Sequence, residues 1–277
     1  MTASTNISVQ DLARLAGTAD QPDLIDVRID DDFARDPRLM PASIRRSHKL
    51  VADWIGEFAG RSVVVSCQRG EKLSQGVAAW LRHEGIDAKN LEGGFEAWVR
   101  ADAPLVRAEA VPQRDAKGRT VWVTRERPKV DRIACPWLIR RFVDPNAVFL
   151  FVEASQVAPV ADRFNATPFD IDGVFWTHRG ERCTFDTMIE EFGLKSEALD
   201  RLATIVRGAD TARPDLAPQA PGLLAVSLGL SRLVDDDLKQ LDAGMTIYDA
   251  FYIWCREATG ETHNWPSVKP QTEKAPA

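Results

Sequence analysis

Ser62-Val63-Val64-Val65-Ser66-Cys67-Gln68-Arg69-Gly70-Glu71-Lys72, continuing through the segment Leu73 to Glu84, is the stretch on which the reading of this chain turns. Three successive β-branched residues bounded by polar ones predict a short, buried central strand. Leu73 to Glu84 spaces its apolar residues along one helical face, and Gly85 follows as a terminator. Cys67 therefore falls in a strand-to-helix turn. In such a turn consecutive backbone N–H groups can converge, and the helix N-terminus adds partial positive charge, so an anion in the loop is stabilised. A thiolate placed there is activated as a nucleophile; Arg69 and Lys72 push the same way and Glu71 opposes them. Gly70 supplies the backbone freedom that a tight cradle requires.

Working outward, Ser8 to Leu15 opens with a capping-type serine and carries helical apolar spacing. Asp23 to Val27 reads as a strand, and Ala88 to Leu91 as a short one ahead of Gly93-Gly94. Short strands alternating with helices over about a hundred residues indicate an α/β unit with a parallel sheet covered on both faces. Regular signals fade from Ala103-Pro104 through Arg119, which reads as a linker at 106–119. Beyond it, Thr120 to Arg125 and Ala147 to Val152 are strand candidates. Asp131 to Phe142 reads as a helix with Pro136 in its first turn, stopped by Asp144-Pro145. From Asp186 onward the pattern is mostly helical: Asp186 to Phe192, Ser196 to Gly208, Gly222 to Leu233 and Asp235 to Arg256. The expected organisation is an α/β domain at 1–105, the linker, an α+β domain with a mainly helical C-terminal half at 120–262, and a disordered tail at 263–277.

Three separated pieces of the first domain together resemble the rhodanese homology domain: Asp26-Val27-Arg28, the Cys67 to Lys72 loop, and Leu91-Glu92-Gly93-Gly94-Phe95-Glu96-Ala97-Trp98. The resemblance covers about residues 6 to 105. It implies a rhodanese-like fold and a thiosulfate-type sulfurtransferase in which Cys67 carries a persulfide cradled by Gln68, Arg69, Gly70, Glu71 and Lys72. The implied partners are a small anionic donor such as thiosulfate and a thiol or other nucleophilic acceptor, and sulfur transfer of this kind needs no cofactor. The related phosphatase loop has arginine six positions after its cysteine, where this chain has Leu73, which argues against phosphoryl transfer. Lys72 stands where many members have arginine, and Leu39-Met40-Pro41-Ala42-Ser43-Ile44 replaces the usual Gly-His-Ile-Pro-Gly-Ala segment.

The second domain gathers cations beside a thiol in Arg132-Ile133-Ala134-Cys135-Pro136-Trp137-Leu138-Ile139-Arg140-Arg141. Guanidinium groups hold oxyanions through paired hydrogen bonds, making Arg132, Arg140 and Arg141, with Arg179 farther on, candidates for an oxyanion site. The alternative is a helix that buries Leu138, Ile139 and Phe142 and exposes its arginines. His178, Glu181 and Cys183 lie within a few positions and offer N, O and S ligands to a divalent metal, which Cys135 or Asp131 would complete. Asp186 reads as the cap of the following helix, and Cys255 as a core residue.

Asp131 to Ile139, His178-Arg179-Gly180-Glu181, Ile205-Val206-Arg207-Gly208-Ala209-Asp210 and Tyr248-Asp249-Ala250-Phe251-Tyr252 together resemble the C-terminal domain of ChrB-type chromate-resistance proteins, over about residues 120 to 260. That resemblance implies a role in chromate resistance and adds chromate to the expected partners.

The chain has 277 residues, 44% hydrophobic and 27% charged, with a formal net charge of −6. That charge supplies no global positive field for nucleic acid or anionic membrane. The N-terminal residues lack the succession of a signal peptide and no window approaches a membrane span, so the expected compartment is the cytoplasm. Four cysteines with no C-x-x-C pair fit separate thiols rather than a disulfide framework or zinc finger. The leading expectation is a sulfurtransferase linked through its second domain to chromate, oxyanion or metal stress. The alternative is a non-catalytic redox, metal or oxyanion sensor with a regulatory role.

Overall fold

The β-branched run of Ser62–Ser66 forms the centre of a five-stranded parallel sheet in the computed structural model, which describes residues 4–262. In chain order the first domain runs β1 (Asn6–Ile7), α1 (Val9–Leu15), β2 (Asp23–Asp26), α2 (Asp30–Arg35), β3 (Arg38–Leu39), β4 (Ile44–Arg45), α3 (Val51–Trp54), β5 (Ser62–Ser66), α4 (Lys72–His83), β6 (Asp87–Leu91) and α5 (Gly94–Arg100). The sheet order is β1-β6-β5-β2-β4, every pair parallel. Alternation along β5 sends Val63 and Val65 to one face, where they pack with Val77, Ala78 and Leu81 of α4 and with Trp54 and Phe58. Val64 faces the other side, against Leu12 of α1 and Phe95 and Trp98 of α5. Both faces are covered, as a parallel sheet requires. Ser8 caps α1 by accepting a hydrogen bond from the Asp11 N–H at 3.1 Å.

The segment 106–119, read as a linker, has structure of its own. Its first residues form β7 (Val106–Arg107), antiparallel to β3. Val106 and Leu39 are buried in the second domain's core, and Ala108, Ala110 and Val111 pack against that core. Arg114 meets the buried carboxylate of Asp144 at 3.2 Å, and Asp144 also accepts from the Thr120 N–H at 2.6 Å and its hydroxyl at 2.8 Å. Apolar burial plus a charge clamp ties this stretch down, although in sequence it reads as a linker.

The second domain has a three-stranded parallel sheet, β10-β8-β9, from β8 (Val121–Arg125), β9 (Val148–Val152) and β10 (Thr167–Pro168). Its helices are α6 (Asp131–Leu138), α7 (Val157–Phe164), α8 (Thr184–Phe192), α9 (Glu197–Asp210), α10 (Ala220–Leu233) and α11 (Asp237–Ile253). Helix α7 covers Val123 on one face of the sheet. Trp122, on the other, enters the large helical core with Trp137, Phe142, Phe185 and Tyr248. The first domain is thus an α/β unit with a parallel sheet, followed by a domain whose C-terminal half is mainly helical. Pro136 lies inside α6 rather than in its first turn, because the helix starts at Asp131; without an N–H it cannot bond the Arg132 carbonyl, and the chain continues as a π-helix at Ile139–Val143. The expected disordered tail at 263–277 lies outside the described residues. Among the described residues no helix is long and apolar enough to cross a membrane.

Candidate functional site

Among the described residues two constellations of reactive side chains stand out, one in each domain. In the first, β5 ends at Ser66 and delivers Cys67 to the C-terminal edge of the sheet, followed by an irregular turn at 68–71 and then α4. The thiol is buried, its Sγ 3.1 Å from the Ser74 hydroxyl one turn into α4. Among the described residues, no protein acceptor takes the backbone N–H of Gln68, Arg69, Gly70 or Glu71. Four N–H groups without a protein acceptor, just ahead of a helix N-terminus, are donors available to an anion. Arg69 and Lys72 are exposed at its rim, while Gln68 donates to Glu96 at 3.1 Å and Arg69 lies 3.6 Å from the same carboxylate.

The Gly93-Gly94 pair accounts for the loop's shape. Gly70 and Gly94 both have positive φ, +69° and +58°. A Cβ on Gly94 would stand 2.3 Å from the Cys67 carbonyl oxygen and 2.3 Å from the Gly70 nitrogen. The two loops are in backbone contact, held by Phe95 N–H to Cys67 O at 2.9 Å and Glu96 N–H to Gln68 O at 3.0 Å. Asn90, buried on β6, donates to the Gly70 carbonyl at 3.0 Å. The Asp26-Val27-Arg28 piece acts from the neighbouring strand: the fully buried Arg28 pairs with Asp26 at 2.7 Å and donates to the carbonyls of Asp36 and Arg38. It also stacks 3.6 Å over the ring of Phe95. One guanidinium thereby ties the end of β2, the segment 36–38 and the start of α5 together.

The second constellation centres on His178. Its Nε2 lies 3.2 Å from Asp210, 3.5 Å from Asp131 and 3.5 Å from Asp170. Asp131 opens α6 and Asp210 closes α9, while Asp170 follows β10 in a turn. Val130, just before Asp131, has φ of +37°, which a β-branched residue avoids. The strain is held by Ser227, whose hydroxyl accepts the Val130 N–H at 2.9 Å, and by Tyr248, which donates to the Val130 carbonyl at 2.9 Å. Gln240 donates to the adjacent Pro128 carbonyl.

Burial pushes the Asp131 carboxyl up to about 7, with repulsion from Asp210 and Asp170 adding to it and His178 opposing. Hydrogen bonds to the carboxylates of Asp131, Asp170 and Asp210 push the His178 imidazolium up to about 12. Beside this group opens a cavity of about 700 Å³ bounded by Arg125, Lys129, Arg132, Asp170, His178 and Asp210.

The proposed metal ligands Cys135, His178, Glu181 and Cys183 are not brought together as one set. Ligand atoms of His178, Asp131 and Asp170 lie within 4.8 Å of one another, but both thiols stand outside this group. Cys135 is buried in the core and Cys183 donates to Asp186 at 3.3 Å. Burial raises both thiols, which disfavours the thiolate a metal would need. Glu181 is exposed in the turn after His178. Of the arginines proposed for an oxyanion, Arg132 lines the cavity, while Arg140 pairs with Asp242, Arg141 with Asp249 and Arg179 with Glu191. Asp170 is absent from the sequence-based ligand set; the signal available for it was the acidic turn Asp170-Ile171-Asp172-Gly173.

Residues 8–101 match the rhodanese-like domain family and residues 122–255 match the family described as ChrB, C-terminal domain. The chain thus joins a rhodanese-like domain to a ChrB C-terminal domain. Among characterised relatives it is 37% identical over 146 residues to Protein ChrB of Cupriavidus metallidurans, a match covering 51% of this chain and 43% of that protein. It therefore spans less than half the length of this relative. Similar solved structures include a rhodanese-like domain protein from Staphylococcus aureus, 26% identical, covering 34% of this chain and 90% of that one with a TM-score of 0.31. Another is thiosulfate sulfurtransferase from Pseudomonas aeruginosa, 21% identical, covering 38% and 20% with a TM-score of 0.32.

Proposed function

We propose that this protein is a sulfurtransferase that carries sulfur as a persulfide on Cys67, and that its ChrB C-terminal domain ties this chemistry to chromate, oxyanion or metal stress. The observation that carries the reading is the loop at 67–71: a thiol at the end of a central strand, beside four backbone N–H groups without protein acceptors among the described residues. The Cys67 thiolate attacks the sulfane sulfur of a small anionic donor such as thiosulfate. A Cys67 S–S bond forms, the donor's S–S bond breaks, and sulfite leaves with the electron pair. A thiol or other nucleophile then attacks the outer sulfur, and the Cys67 thiolate returns as leaving group.

Each step keeps negative charge within reach of the Gln68, Arg69, Gly70 and Glu71 N–H groups and the N-terminus of α4. Arg69 and Lys72, exposed at the rim, attract the anionic donor. Leu73, half-buried where the phosphatase loop has arginine, offers no charge to a phosphoryl group. Four cysteines without disulfides are consistent with a reducing compartment, and we place the protein in the cytoplasm. Thiocyanate formation from thiosulfate and cyanide tests the proposal. Wild type and Cys135→Ser should turn over alike and Cys67→Ser should be inactive; turnover surviving in Cys67→Ser would refute it.

A further inference from the structure

The single N–H that His178 Nε2 can carry faces three carboxylates, at 3.2, 3.5 and 3.5 Å. One proton makes one good hydrogen bond, so the imidazole alone cannot serve all three carboxylates. A metal ion makes several bonds at once. Donors around an ion at about 2.0–2.4 Å stand up to about twice that distance apart, close to the 4.8 Å that bounds the ligand atoms of Asp131, Asp170 and His178.

Two of the carboxylates are also oriented from behind, as metal ligands are. Asp131 Oδ2 accepts the Thr184 N–H at 2.6 Å and Asp170 Oδ1 accepts the Thr184 hydroxyl at 2.8 Å. Asp170 Oδ2 meets Arg132 at 3.3 Å and Arg125 at 3.7 Å. A separate observation points to a missing ligand: Asp131 is fully buried, and its Oδ1 has no hydrogen-bond partner among the described residues. A buried carboxylate oxygen left bare is unfavourable unless a cation or a proton binds it.

We propose that Asp131, Asp170 and His178 bind one divalent first-row metal ion, which draws in the Asp210 carboxylate that stands 3.2 Å from His178 and outside this group of three, with the ion's open side facing the cavity bounded by Arg125, Lys129 and Arg132. Three carboxylates and one imidazole form a hard to borderline set, suited to manganese(II), iron(II) or zinc rather than to a thiophilic ion. The buried thiols of Cys135 and Cys183 lie outside it. His178 is 40% exposed in its side chain, so an ion reaches the site from the cavity without unfolding the domain. The open side meets cationic walls, so the ligand chemistry that completes the coordination shell is an anion with oxygen donors. This site stands independently of sulfur transfer at Cys67.

The test is manganese(II) alone, titrated into the chelator-treated full-length chain and followed by loss of the free aqua-ion spectrum in electron paramagnetic resonance. Wild type should bind one ion, and binding should raise its melting temperature. His178→Ala and Asp210→Asn should each weaken binding at least about tenfold, while Glu181→Gln, exposed and outside the group, binds as wild type does. Asp210 is partly exposed at the end of α9, so Asp210→Asn decides the matter if His178→Ala fails to fold. Failure of wild type to bind manganese(II), or equal binding by wild type and a folded Asp210→Asn, would overturn the proposal.

Discussion

Gly94→Ala should disable the cysteine loop from outside it. The new methyl would lie 2.3 Å from the Cys67 carbonyl oxygen, 2.3 Å from the Gly70 nitrogen and 2.9 Å from the Arg69 carbonyl carbon. Comfortable non-bonded contacts are roughly 3.5 Å or more, so the overlap exceeds an ångström, and all three atoms are backbone. Left-handed φ at +58° adds about 1–2 kcal/mol for a residue with a Cβ. Overpacking adds about 1–3 kcal/mol, for a total of about 2–5 kcal/mol.

The loop can relieve the overlap only by moving Cys67 and Gly70 away from α5, which breaks the bonds from Phe95 and Glu96. Urea unfolding of the first domain, followed by tryptophan fluorescence, measures the loss of stability, and sulfur uptake from thiosulfate measures the loss of cradle geometry. Gly76→Ala is the control. Gly76 is in α4 with nothing within 4 Å of the added methyl, so alanine there should stabilise by about 0.5–1 kcal/mol. Gly94→Ala with stability within about 0.5 kcal/mol of wild type and normal sulfur uptake would refute the loop-on-loop packing.

Arg28→Ala leaves Asp26 buried without its partner and should cost the first domain about 3–5 kcal/mol, read from the same urea transition. Asp144→Asn removes the carboxylate shared by Arg114 and Thr120; about 2–4 kcal/mol of second-domain stability should go with it, and protease should cut the 106–119 segment faster. Thiol alkylation should discriminate among the cysteines by pH. Burial holds Cys255 up to about 11, so its thiolate fraction at pH 8 is on the order of one in a thousand. Its labelling in native protein should climb only as pH approaches that value, and mass mapping of alkylated peptides at several pH values checks it.

What could be read from the sequence was local. The strand at 62–66 follows from its own β-branched residues, and α4 from its own apolar spacing, so both stand where periodicity put them, with the helix beginning one residue early at Lys72. The Asp-Val-Arg and Gly-Gly pieces were visible as motifs, but their work was not: Arg28 joins the end of β2, the segment 36–38 and α5, and Gly94 touches Cys67 only because α5 folds back over β5. The His178 centre shows the limit more sharply. Cys183 and Glu181 are its neighbours in sequence, yet helix α8 turns the thiol toward Asp186 and the turn at 179–182 leaves Glu181 outside. Asp131, Asp170 and Asp210 reach His178 from two helix ends and a turn, a convergence that only the packing of α6 against α8 and α9 creates. Segment 106–119 reads as a linker because it carries no periodic apolar signal and is punctuated by Pro112 and Gly118, while its burial depends on Leu39 and Asp144, far away in the chain.

The central claim is that Cys67 holds sulfur, and the mass of its peptide tests it most directly. After incubation of the full-length protein with thiosulfate and removal of excess donor, sulfur transfer predicts that the peptide containing Cys67 gains one sulfur atom. Cyanide should remove that atom as thiocyanate, and the peptides of Cys135, Cys183 and Cys255 should be unchanged. A Cys67 peptide of unaltered mass with thiosulfate and with other sulfane-sulfur donors would contradict the claim.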